Sequence, residues 1–126
     1  MGRNINARML ERIWFFVEQR GAMRTDLIQQ HYANTYGDKL KLASMTQTLL
    51  SSGLFKRAGW YNRVHDEMIE TTLSSNQMGI KDPAYVCVVE AKSLDEVIAG
   101  FRDGRRTLRK ISKMPSFVRD AVEESL

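Results

Sequence analysis

Between Asn6 and Gln19 the apolar side chains Met9, Leu10, Ile13, Trp14, Phe16 and Val17 recur at intervals of three and four. That spacing lays them along one stripe of an α-helix. Asn4 or Asn6 is placed to cap it, and Arg20-Gly21 to end it. Thr25 offers a side-chain oxygen to cap a second helix, DLIQQHYANTY, which turns Leu27, Ile28 and Tyr32 inward before Gly37-Asp38 breaks the pattern. A third helix is predicted from about Lys39 to Ser52, with Leu42, Met45 and Leu49 on its inner face, Leu50 widening that face and Gly53 as the stop. The following LFKRAGWYNRV holds two short runs of strand-forming residues around Ala58-Gly59 and reads as a β-hairpin.

Beyond Val64 the pattern is less regular. Residues 66–79 read as a short helix and Lys81-Asp82-Pro83 as a turn. Tyr85-Val86-Cys87-Val88-Val89 has the β propensity of a buried strand. Ser93-Leu94-Asp95-Glu96 is a capping box that starts a helix carrying Val97, Ile98 and Phe101 inward, with Gly104 as a break. A further stretch holds Leu108 and Ile111, and after Pro115 Ser116 caps a last helix with Phe117, Val118 and Val122. The expected fold is thus α+β and mainly helical, with one strand and two or three helices after residue 65.

Three helices followed by a hairpin, the third closed by a glycine, is the order of a winged helix-turn-helix. Residues 42–57, LASMTQTLLSSGLFKR, resemble the recognition helix and first wing strand of bacterial winged-helix regulators. Leu42, Met45 and Leu49 fall where such families bury aliphatics, and Gly53-Leu54-Phe55 matches their Gly-Leu-Ile/Val step. The likeness covers the first half of the chain and names no particular family. Trp60-Tyr61 departs from it, with two large aromatics where many wings carry small or charged residues. The resemblance implies a winged helix over 3–65, followed by an extension over 66–126 that dimerises or binds a protein partner.

Charge adds to this picture. The net +4 over 126 residues hides a change of sign along the chain. Residues 1–65 hold ten basic against four acidic side chains, 66–100 two against seven, 101–113 six against one, and 114–126 one against three. A basic first half suits a polyanion partner. The length allows one hydrophobic core. The single Cys87 points to a reducing cytoplasm rather than a disulfide framework, and no apolar run is long enough to span a bilayer, so no membrane partner is expected.

Burying the aliphatics of the third helix leaves Lys39, Lys41, Ser44, Gln47 and Thr48 outside. Lys and Ser bind phosphate oxygens, Gln pairs with an adenine edge and Thr approaches a thymine methyl. Lys56, Arg57 and Arg63 lie on the expected wing, 54–64, where they would grip the DNA backbone. These residues make double-stranded DNA the expected partner, read in the major groove through helix 39–52 by a transcriptional regulator or a phage or plasmid accessory factor that acts as a homodimer. Arg102, Arg106, Arg109, Lys110 and Lys113 form a basic stripe, which is either a second nucleic-acid surface or a mate for the acidic 66–100 segment.

Two other classes stay open. A winged helix can serve as a protein adaptor without touching DNA. Asp82, followed by a strand and Glu90-Ala91-Lys92, resembles the PD-(D/E)xK nuclease signature, in which the acidic pair holds Mg²⁺ and the lysine acts on water. His31 and His65 have no metal-ligand spacing, and the scattered glycines form no phosphate loop, so neither a metal nor a cofactor is expected.

Overall fold

The computed structural model describes residues 5–102 and 114–125, leaving out the side chains of residues 101 and 102. Among the described residues, six helices and four strands follow in the order α1 (Ala7–Glu18), β1 (Met23–Arg24), α2 (Thr25–Tyr36), α3 (Leu42–Ser51), β2 (Phe55–Asn62), β3 (Glu67–Glu70), α4 (Ser75–Met78), β4 (Tyr85–Ala91), α5 (Leu94–Arg102) and α6 (Ser116–Ser125). The strands form one antiparallel sheet in the order β1-β4-β2-β3, so the fold is α+β. Among the described residues no helix is long and apolar enough to cross a membrane.

Helix α1 follows its stripe. Asn6 accepts from the Met9 N–H at 3.0 Å, and Met9, Leu10, Ile13, Trp14 and Val17 are buried. Phe16 is only half-buried and stacks on His31 instead. In α2, Ile28 and Tyr32 face inward but Leu27 is 39% exposed, which corrects its inward placement. Thr25 is the first residue of the helix rather than its cap. Its hydroxyl is buried and donates to the Cys87 carbonyl at 3.0 Å, tying α2 to the middle of β4.

The sheet differs most from expectation. Residues 54–64 do not form a hairpin turning at Ala58-Gly59, because Phe55–Asn62 is one continuous strand with an irregularity between Arg57 and Gly59. Gly59 is there because nothing larger fits: a Cβ would stand 2.1 Å from the Ile69 carbonyl oxygen and 2.6 Å from the Met68 methyl. The reversal comes four residues later. The buried Asn62 side chain accepts from the N–H groups of Val64 and His65 at 2.9 and 3.0 Å, and Asp66 takes a left-handed φ of 53°. What reads as a helix over 66–79 is therefore strand β3 and then the single turn α4, held by a Ser74–Gln77 capping box.

Strand β4 lies between β1 and β2, with Val89 opposite both Met23 and Arg57. The segment after residue 65 thus contributes two strands where one was expected, and it shares a sheet with the helical first half. Side chains alternate across the sheet. Phe55, Cys87 and Val89 point toward α1–α3 and join a core with Ile13, Val17, Ile28, Tyr32, Met45 and Leu49. Trp14 Nε1 donates to the Lys92 carbonyl at 3.1 Å, fixing α1 to the end of β4. Val97, Met114, Val118 and Val122 continue the core through α5 and α6, and Phe117 packs on Trp14 and Phe15 at centroid distances of 5.0 Å.

Two predictions follow from this packing. Gly59→Ala must push back the β3 carbonyl, and equilibrium urea unfolding should show a loss of about 2–3 kcal/mol. His31 lies flat on Phe16, which also holds the Arg20 guanidinium 3.9 Å from its ring centroid. Burial, and secondarily the Arg20 charge, lower the His31 pKa below the ordinary 6.5. The unfolded chain then takes up the proton first, so this contribution to stability is present above that value and lost as pH falls through it. Thermal melts between about pH 7.5 and 5.5 should show a steeper loss of stability for the wild type than for His31→Phe, which keeps the stack without the titrating group.

Candidate nucleic-acid interface and the cleft beside it

Helix α3 starts later than its periodicity suggests, at Leu42, with Lys41 as a cap residue that makes no side-chain cap bond. Leu40 before the cap and Met45 in the first turn are both buried in the core, the positions of a hydrophobic staple. At the other end Gly53 adopts a φ of 83°, the left-handed conformation that lets the chain leave the helix and enter β2. Ser52 secures this exit, donating to the Leu49 carbonyl at 2.7 Å and accepting from the Leu54 N–H at 3.1 Å.

With both ends fixed and Met45 and Leu49 buried, the remaining side chains divide between two faces. Lys41 and Ser44 are exposed and Thr48 half-buried along one row, with the exposed Gln47 on the next; Lys39 is exposed in the segment before the helix. Ser44, Gln47 and Thr48 thus share one side of α3, with Lys41 at its cap and Lys39 two residues before the cap. The face is polar, and its positive charge sits at the N-terminal end, where the helix dipole is also positive.

The three cations expected on the wing do not join them. Lys56 lies on the sheet face opposite α1–α3, its side chain 40% exposed, and its ammonium pairs with Glu96 at 3.2 Å. Glu96 is the third residue of α5 and also closes the Ser93 capping box, and the Lys56 hydrogen bond is the first cause of its lowered pKa. Arg63 donates to the Pro83 and Ala84 carbonyls at 2.9 and 3.3 Å, bracing the start of β4. Arg57 points inward, donates to the Thr72 carbonyl at 3.5 Å and sits over Trp60 at 5.3 Å. The sequence places all three on or beside a hairpin wing but does not show that a half-buried strand sends Lys56 and Arg57 to opposite faces.

Arg57 opens onto a feature no sequence pattern marked. Between α3 and the sheet lies a cleft of about 710 Å³. Leu42, Thr46, Gln47 and Leu50 form its helical wall, Arg57, Trp60, Tyr85 and Cys87 its floor, and Ser75 of α4 its far rim. Trp60 Nε1 is held by the Leu73 carbonyl at 3.0 Å. Burial raises the Cys87 thiol pKa, against a smaller opposing effect of the nearby Arg57. The two aromatics that depart from the winged-helix pattern thus separate, Trp60 to the cleft and Tyr61 to the outer face. There Tyr61 donates to Asp66, which raises its pKa, and lies under the Arg24 guanidinium at 4.1 Å. Arg24 is itself paired with Asp26 at 2.6 Å.

The acidic constellation comes apart. Asp82 accepts from the Ala84 N–H at 2.9 Å in the turn before β4, and Glu90 is near the other end of that strand, roughly 20 Å away. Among the described residues no three His, Cys, Asp or Glu side chains form a group that could hold a metal ion. Of the basic stripe, Arg106, Arg109, Lys110, Lys113 and the side chain of Arg102 lie outside the described residues. Comparison of the chain with protein-family models, curated proteins and solved structures gave no match in any of the three.

Proposed function

We propose that the protein is a winged helix-turn-helix that binds double-stranded DNA through α3, as a transcriptional regulator or a phage or plasmid accessory factor. The observation that carries this reading is the polar face of exposed Lys41, Ser44 and Gln47 with half-buried Thr48, on a helix whose opposite side is locked into the core. Support also comes from the element order, in which three helices with a short strand β1 precede β2, and β4 returns between β1 and β2. In this reading the wing is larger than the sequence suggests. It comprises β2, β3 and α4, and its outer strand and the turn before it are acidic through Glu67, Glu70 and Asp66. Phosphate attraction then comes from Lys39 and Lys41 rather than from Lys56, Arg57 and Arg63, and Gln47 and Thr48 contact base edges.

The acidic β3 edge favours a second reading, a protein adaptor whose wing meets a basic partner. One experiment separates the two: fluorescence-anisotropy titration of a random-sequence duplex library at two salt concentrations, with bound duplexes recovered and sequenced. Salt-sensitive binding with an enriched motif is expected, and a palindromic motif identifies a dimer. Lys41→Glu should weaken binding about tenfold and lower the salt slope by about 1, and Gln47→Ala should relax preference at one base pair by about 1–3 kcal/mol. Lys56→Ala and Arg63→Ala, whose charges are engaged within the protein, should stay within about threefold of wild type. Absence of binding at about 50 mM salt, or equal loss in all four variants, overturns the DNA reading.

A further inference from the structure

The cleft between α3 and the sheet is large enough for a small organic molecule at about 710 Å³. Its lining is uneven in a specific way. Leu42, Leu50, Trp60 and Tyr85 supply aliphatic and aromatic surface, Thr46 and Ser75 supply hydroxyls, and Arg57 is the one charged side chain among the described lining residues. Among the described residues no Asp or Glu lines the cleft, and Arg57 forms no ion pair with any described carboxylate. Its Nε is buried with no hydrogen-bond partner, while Nη1 reaches the Thr72 carbonyl at 3.5 Å and the guanidinium otherwise meets the Cys87 thiol, a weak partner. A buried donor on a cation, left unmatched, is costly, and a planar carboxylate presents two oxygens in the geometry of the guanidinium fork.

We propose that this cleft is a binding site for a small aromatic carboxylic acid, with its carboxylate on Arg57 and its ring between Trp60, Tyr85 and the Leu42–Leu50 wall of α3. The fork selects a carboxylate, and the apolar wall selects a flat, apolar body over a bare inorganic anion. Binding is independent of whether α3 reads DNA. Gln47 nevertheless belongs both to the rim of the cleft and to the exposed face of α3, so an occupant abuts that face directly.

The test is a titration of ¹⁵N-labelled protein followed by NMR, using phenylacetate, its neutral counterpart phenylacetamide, and inorganic phosphate. Phenylacetate should shift the Trp60 indole N–H and the Thr46 and Leu50 amides with a dissociation constant on the order of 1 mM or below. The amide and phosphate should each bind at least about tenfold more weakly. Arg57→Gln should reduce phenylacetate affinity at least about tenfold. Ser75→Glu, which keeps Arg57 and sets a carboxylate at the rim, should reduce it several-fold and serves if Arg57→Gln fails to fold. No shifts with phenylacetate, equal binding of acid and amide, phosphate binding as well as the acid, or full affinity in the folded variants would each overturn the proposal.

Discussion

Strand β4 has hydrogen-bonded neighbours on both edges, and most of the molecule is arranged around that position. Its Val89 is completely buried beneath the helices and stands opposite residues of β1 and β2. Its Cys87 carbonyl receives the buried Thr25 hydroxyl, and the Lys92 carbonyl just beyond it receives the Trp14 indole. Two helices are therefore fastened to one strand by side-chain hydrogen bonds inside an apolar core, where such bonds are strongest and their loss most costly. The position of α3, and so the direction in which its polar face looks, depends on a segment drawn from the second half of the chain.

The parts of this fold legible in the sequence are those that carry their own periodicity. The Met9-to-Val17 stripe of α1 and the Ser93–Glu96 box of α5 are local signals, and the buried run of β4 stands out by β propensity alone. Strand β1 is two residues long and is a strand only because β4 lies beside it. Strand β3 has no buried alternation, since Glu67, Met68 and Glu70 are exposed, so no amphipathic pattern announces it. Ala58-Gly59 has the composition of a turn, but the glycine answers to close approach by the neighbouring strand, and the real turn is set by Asn62 accepting two backbone N–H groups.

The same division applies to the functional surfaces. The α3 face is legible by subtraction, because removing the buried aliphatics from a helix leaves its outer side chains. The cleft is not, because its walls come from α3, β2, β4 and α4, segments that no local pattern brings together. Charge proves the least transferable quantity from sequence to surface. Arg24 stacks on Tyr61 beside Asp26, Arg63 braces two carbonyls and Lys56 meets Glu96, so much of the basic excess of the first half is spent inside the fold. Such interactions hold side chains in place more than they add stability, since partly exposed pairs contribute at most about 1 kcal/mol.

The late arrival of β4 also shapes the life of the chain before it is finished. Roughly 65 residues separate Met23 from its partner Val89, and at translation rates of about 5–20 residues per second β1 waits several seconds for the strand that completes it. Through that interval α1, α2 and α3 have emerged without the strand that completes their floor, and Ile28, Met45 and Leu49 are covered only by apolar side chains of the first half such as Ile13, Val17 and Tyr32. The first half of the chain thus carries, until β4 is made, an apolar side that only the later strand closes over.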